Sequence, residues 1–181
     1  SHLAPFSKGW YDLQDRVDSL VRCDGFDFTR GLHGDNGMNY DKLLESVKKH
    51  EGFRDTVYRD TLNKRTVGFG HLCVEDHWED GKKYDKEYLE DILEKDLQSA
   101  IDQTHDMCAH LKISDDAKTI ICEMIFQLGG NGVSKFRKMW AALQEDPPNY
   151  FEAHVQMLDS RWSKQTPGRA VEMAETMKMC G

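Results

Sequence analysis

Apolar residues return at helical steps along most of this chain and alternate in one short stretch. Trp10, Leu13, Val17, Leu20 and Val21 recur every three or four positions and predict a short amphipathic helix. A glycine-bearing loop follows, from Gly25 to Gly37. Leu43, Leu44 and Val47 form one face of a second helix, which Asn39 or Asp41 can cap and which ends near Gly52. The rhythm then changes. Positions 56–58 and 66–69 are β-prone and flank a turn at Leu62, Asn63 and Lys64, so a small antiparallel sheet is expected, with 77–83 as a polar loop. Helical spacing resumes with Leu89, Ile92, Leu93, Leu97, Ala100 and Ile101 on one stripe. Ser114 opens a helix bearing Ala117, Ile120, Ile121, Met124, Ile125 and Leu128, with Gly129 and Gly130 as its stop. Shorter helices fit 135–143, 150–158 and 168–179, punctuated by Pro147, Pro148 and Pro167.

The pattern predicts an α+β chain, mainly helical. Residues 1–38 form an N-terminal extension and 39–181 a folded domain. Within that domain a sheet-bearing lobe occupies about 50–85 and a helical lobe about 100–181, joined by a long helix. At 181 residues there is material for a sizeable core. Charged residues at 31% beside hydrophobic ones at 39% place the chain among globular proteins. No apolar run approaches the ~20 residues of a membrane helix, and residues 1–10 lack the apolar run of a secretory leader, which a mature secreted chain has lost.

The net charge of −8 argues against nucleic acid as a partner. Locally the balance reverses: Lys48, Lys49, Arg54, Arg59, Lys64 and Arg65 outnumber Glu51, Asp55 and Asp60. Five cysteines (Cys23, Cys73, Cys108, Cys122, Cys180) show no CxxC spacing, and one or two disulfides are expected if the protein is secreted. His71, Cys73 and His77, like His105, Cys108 and His110, lack the paired spacing of zinc modules, so neither a metal nor another cofactor is expected. The run from Gly129 to Gly132 before Lys135 lacks the register of a phosphate loop and reads as a turn.

Candidate chemistry lies in two carboxylates nine residues apart. Glu51, at a helix end beside Phe53 and Val57, is the general-acid candidate, because partial desolvation is the setting in which a carboxyl group holds its proton. Asp60, among Arg59, Thr61 and Asn63, is the group expected to stay ionised. Phe126, Trp140 and Trp162 are aromatic faces that could stack on a sugar or fill a core. Spacing alone does not decide between a catalytic pair and surface charge.

The block Glu51-Gly52-Phe53-Arg54, Tyr58-Arg59-Asp60-Thr61 and Thr66-Val67-Gly68-Phe69-Gly70-His71-Leu72 resembles the active-site segment of phage-type lysozymes. The stretch from Met124 to Gly129 resembles that family's central buried helix. Ser160-Arg161-Trp162, with Gln165-Thr166-Pro167-Gly168-Arg169-Ala170, resembles a block near its end. The resemblance spans about residues 40–180. It implies a two-lobed lysozyme fold and a muramidase that cleaves the β-1,4 bond between N-acetylmuramic acid and N-acetylglucosamine of bacterial peptidoglycan. Glu51 matches the general acid, and Asp60 and Thr66 match the groups holding the attacking water. The family's inverting reaction needs ~6.5–9.5 Å between the carboxyls. Leu72, Phe126, Gln127, Met139 and Gln156 fall at substrate-cleft positions, Arg169 at an arginine that orients the glutamate, and His71 with Asp96 at an ion pair.

Some positions depart from that pattern. His50 replaces an acidic residue, Glu123 an amide, and Met139 and Gln156 a serine and an asparagine. The acidic charge, the cysteines and the extension suggest a secreted, monomeric relative used in defence or digestion. The competing expectation is a wall-binding protein that has kept the fold without turnover.

Overall fold

The structure, a computed structural model, describes residues 37–181, so the expected helix over residues 10–21 lies outside the described residues. Helix α1 (Tyr40–Glu51) is capped by Asn39, whose side chain accepts the Lys42 N–H at 3.0 Å. It buries Leu43 and Val47 completely. Gly52 ends it at φ 66°, a conformation that glycine adopts without strain, and turns the chain into the sheet.

The sheet has three antiparallel strands in the order β1 (Arg54–Arg59), β2 (Arg65–Gly68), β3 (His71–Leu72). Tyr58 pairs with Thr66 and Arg59 with Arg65, and a bulge follows Arg54. The hairpin of the sequence reading is present, and β3 is an addition to it. The segment over 77–83, expected as a polar loop, is pinned by Trp78, which is 4% exposed and packs with Val67 and Leu89.

Helix α2 (Lys86–Cys108) runs for 23 residues, about 34 Å. One stripe serves two cores: Leu89 lies under the sheet, and Leu93, Leu97, Ala100 and Ile101 lie in the helical part. Helix α3 (Asp115–Ser134), capped by Ser114, is the centre of the larger core, with Ile121, Cys122 and Met124 fully buried. Gly129, at φ 77° and ψ 156°, kinks this helix rather than stopping it, and the chain returns to helix as far as Ser134. Around it pack α4 (Arg137–Leu143), α5 (Tyr150–Leu158), the short α6 (Arg161–Gln165) and α7 (Pro167–Lys178). The architecture is therefore α+β and mainly helical, with a small three-stranded antiparallel sheet.

Cys73, Cys108, Cys122 and Cys180 are all free thiols, so the expected disulfides are not formed among the described residues. Burial pushes Cys108 up to about 11 and Cys122 up to about 12, so both stay neutral as core groups. No described helix is long and apolar enough to cross a membrane.

Candidate active site

Glu51 is the last residue of α1, where the helix leaves the larger core and the sheet begins. Its carboxylate is held from two sides. Arg169, on the first turn of α7, donates from Nη1 to Glu51 Oε1 at 2.7 Å, with the two side chains 9% and 18% exposed. A charge-assisted contact of that length fixes the direction of the side chain. On the other side, Gly70 comes so close that a Cβ there would lie 2.5 Å from Glu51 Oε2. Gly70 also sits at φ 74°, so space and backbone both call for glycine. The partial burial expected of Glu51 is present, its side chain being 18% exposed, and the neighbouring Phe53 ring packs on Phe69 at 5.0 Å between centroids.

Asp60 opens the turn between β1 and β2. Its Oδ1 accepts the N–H groups of Leu62 at 2.9 Å and Lys64 at 2.8 Å. Asn63, at φ 60°, completes the turn and donates its N–H to the Asp60 carbonyl. This side chain shapes its own loop, a common use of aspartate at turns. Oδ2 makes no hydrogen bond among the described residues and remains able to accept one. Thr66, 3% exposed on β2, donates its hydroxyl proton to the Lys64 carbonyl at 3.1 Å, leaving oxygen lone pairs as acceptors.

Tyr58 joins the two ends of this arrangement. It pairs with Thr66 across the ladder, and the Arg54 guanidinium lies 4.6 Å from its ring centroid. Burial raises its pKa first, the Glu51 charge next, and Asp60 adds to them, while Arg54 opposes. The phenol therefore lies within the field of both carboxylates. The sequence reading gave Tyr58 and Gly70 no role, and nothing in their spacing would have revealed one.

The remaining predicted positions separate. Leu72, on β3, is 42% exposed and free to meet a ligand. Phe126 and Gln127 sit half-buried on α3. Both ends of the Gln127 amide are engaged: Oε1 accepts from Trp162 Nε1 at 2.9 Å, and Nε2 donates to Thr166 at 3.3 Å. Gln127 thus ties α3 to α6. Met139 is fully buried in the helical core, out of reach of any ligand, because its helix begins at Arg137 and turns that side chain inward. Gln156 donates to Glu152 on its own helix at 2.7 Å. Trp162 (4% exposed) and Trp140 (Nε1 to the Val133 carbonyl at 2.9 Å) serve the core rather than a sugar.

His71 Nδ1 meets Asp96 at 2.7 Å and Nε2 meets Glu75 at 3.2 Å, joining β3 to α2. Burial works against its proton, but the Asp96 hydrogen bond and charge, helped by Glu75, win and raise the His71 pKa. Among the described residues no three His, Cys, Asp or Glu side chains converge as metal ligands.

A sequence model of the phage lysozyme family matches residues 48–174, which contain every residue of this site. The chain is 26% identical over 152 residues to probable T4-type lysozyme 2 of Dictyostelium discoideum, covering 71% of this chain and 88% of that protein. It is 27% identical over 154 residues to the pre-baseplate central spike protein Gp5 of Enterobacteria phage T4, covering 71% of this chain and 26% of that one. To the peptidoglycan hydrolase gp36 of Pseudomonas phage phiKMV it is 26% identical over 134 residues, covering 74% of this chain and 15% of that protein. With the family model matching well over half of its length, the chain belongs to the phage lysozyme family.

Proposed function

We propose that the protein is a muramidase, cleaving the β-1,4 bond between N-acetylmuramic acid and N-acetylglucosamine of bacterial peptidoglycan with inversion at the anomeric carbon. Glu51 gives its proton to the glycosidic oxygen as the bond from C1 to that oxygen breaks. A water accepted by Asp60 Oδ2 and the Thr66 hydroxyl attacks C1 from the opposite face and passes its proton to Asp60. Tyr58, between the two, shapes the field they share. Leu72 offers an apolar contact to the sugar chain, and Phe126 and Gln127 line the helical side.

The observation that carries this reading is the double hold on Glu51. Arg169 and Gly70 restrict one carboxylate to one direction, while Asp60 has one oxygen tied and one able to accept. A surface charge of no consequence would not be clamped from two elements. With peptidoglycan as substrate, we place the working enzyme outside the producing cell, as a monomer acting in antibacterial defence or in digestion of bacteria.

The test is reducing-end release from purified peptidoglycan. Glu51→Gln keeps the shape and removes the proton donor, so turnover should fall by about a thousandfold or more with the melting temperature little changed. Lysis unimpaired in this variant would remove Glu51 from the role. Wall binding without soluble product from the unaltered chain would identify a binding protein instead.

A further inference from the structure

A second cleft, of about 690 Å³, opens on the sheet part, and none of its lining belongs to the site around Glu51. It lies beyond the outer edge of β1, whose other edge pairs with β2. Along that outer edge Lys83 bridges Thr56, and the Tyr84 N–H donates to the Asp55 carbonyl at 2.9 Å. Tyr84 and Tyr88 give the cleft an aromatic wall, and Asp76, Glu79 and Asp85 give it carboxylates. The volume is that of a small-molecule site.

The aromatic wall is backed and oriented. Trp78, buried beneath it, stands 4.9 Å from the Tyr84 ring centroid and 6.1 Å from that of Tyr88. The Tyr84 hydroxyl accepts the Glu79 N–H at 2.8 Å and donates to the His77 carbonyl at 3.4 Å. The Tyr88 hydroxyl lies 3.3 Å from His77 Nε2, and 42% of that residue stays exposed. Rings set in place before a ligand arrives lose little freedom when it binds.

The polar lining divides into spent and unspent groups. Lys82 pairs with Glu79 at 3.2 Å and Lys83 with Asp55 at 3.7 Å. Asp76 and Asp85 make no side-chain hydrogen bond or ion pair among the described residues, and Asp85 does not cap α2 with its side chain. Ionised carboxylates only accept, so these two call for donors. An anion is unsuited, since both lining lysines are paired and three carboxylates face it. An external cation is unsuited too, because the Lys82 ammonium already stands 5.4 Å from the Tyr84 ring centroid. A neutral sugar meets both demands: its C–H face lies on an aromatic ring, and its hydroxyl and amide groups donate.

We propose that this cleft is an accessory glycan site, taking an N-acetylhexosamine unit of a β-1,4-linked chain with one face on Tyr88 and its donors on Asp76 and Asp85. The choice of polymer rests on the muramidase reading, whereas the choice of a neutral sugar rests on the cleft. A chain bound here and at Glu51 is held twice, so release at one site leaves the enzyme on the polymer.

The experiment uses the full chain carrying Glu51→Gln, alone and with Tyr88→Ala, Tyr88→Phe or Asp85→Asn added, each with its melting temperature. Amide NMR follows addition of the β-1,4-linked tetramer of N-acetylglucosamine, and sedimentation with purified peptidoglycan measures wall binding. Amides of 76–88 should shift and saturate. Tyr88→Ala should weaken that binding about tenfold, and Tyr88→Phe, which keeps the ring, should retain most of it. Asp85→Asn should weaken it about threefold. Wall binding should fall in the same order. Shifts confined to the surroundings of Leu72, Phe126 and Gln127 would overturn the site, as would tetramer binding unchanged in a folded Tyr88→Ala. Reducing-end release by the unaltered chain separates the two readings. Turnover with silent 76–88 amides overturns the accessory site alone, and saturable shifts there without turnover support it while overturning the muramidase.

Discussion

The helical part and the sheet part of this domain are held by different forces. Around α3 a continuous apolar core leaves Ile121, Met124, Leu143, Met157 and Met177 fully buried. Under the sheet the buried apolar cluster among the described residues is Val67, Trp78 and Leu89, and polar ties do much of the rest. Arg65 donates to the Trp78 carbonyl and to Asp80, Trp78 Nε1 to Glu75 at 2.7 Å, and His71 bridges Asp96 and Glu75. Apolar burial is indifferent to protonation, whereas hydrogen-bonded charges are not. The sheet carries Asp60 and Thr66, so this part of the site stands on the more condition-sensitive half.

That contrast can be broken most forcefully at its apolar minimum. Trp78→Ala should cost about 3–5 kcal/mol. Hydrogen exchange should show β1–β3 losing protection while α3 and α5 keep theirs. Equal loss in both parts would show that the two cores unfold as one.

Gly70→Ala comes next. The new Cβ meets Glu51 Oε2 at 2.5 Å and the residue sits at φ 74°, so about 1–3 kcal/mol should be lost together with most activity. Gly52→Ala carries a similar φ, 66°, but its Cβ enters open space. It should therefore cost stability of about 1 kcal/mol and spare more of the turnover. Matching kcat values for the two variants would argue that backbone strain, not the contact with Glu51, matters.

His71→Asn sharpens the electrostatic half of the comparison. Because the folded pKa of His71 is raised, its contribution is fully present below the unfolded value of about 6.5 and is lost as pH rises through the folded one. The variant should be about 2 kcal/mol less stable than wild type near pH 5, a gap that closes in alkaline solution. Melting curves across pH check it, and a constant gap would assign the loss to packing. The smallest effect belongs to Ile121→Val in the helical core, about 1 kcal/mol and flat with pH.

How much of this was legible in the sequence depended on how local each feature is. Helix α5 begins and ends where the apolar spacing and the flanking prolines put it, at Tyr150 and Leu158. Strand β3 is two residues long and helix α6 five, too short for any period, and both owe their form to tertiary partners. Gly129 read as a stop because glycine so often ends helices, yet a single turned residue bends α3 and lets Val133 be buried beyond it. In the site, Glu51, Asp60 and Thr66 stood out through the family likeness. Met139 was placed in the cleft by the family likeness alone, and here the larger, apolar side chain at that position is fully buried in the helical core. The contact between His50 and Glu172 had no signal at all, since the two lie 122 residues apart.

The tie between Glu51 and Arg169 joins residues 118 apart, nearly the ends of the folded domain. Such a contact closes a long loop and forms only after the intervening chain has condensed. During synthesis, Glu51 leaves the ribosome long before Arg169 does. A nascent chain or a fragment ending before α7 would carry Glu51, Asp60 and Thr66 together and still lack the arginine that holds the Glu51 carboxylate. On the proposed reading of Glu51 as the acid, completion of α7 acts as a timer: hydrolytic competence arrives with that helix and not before.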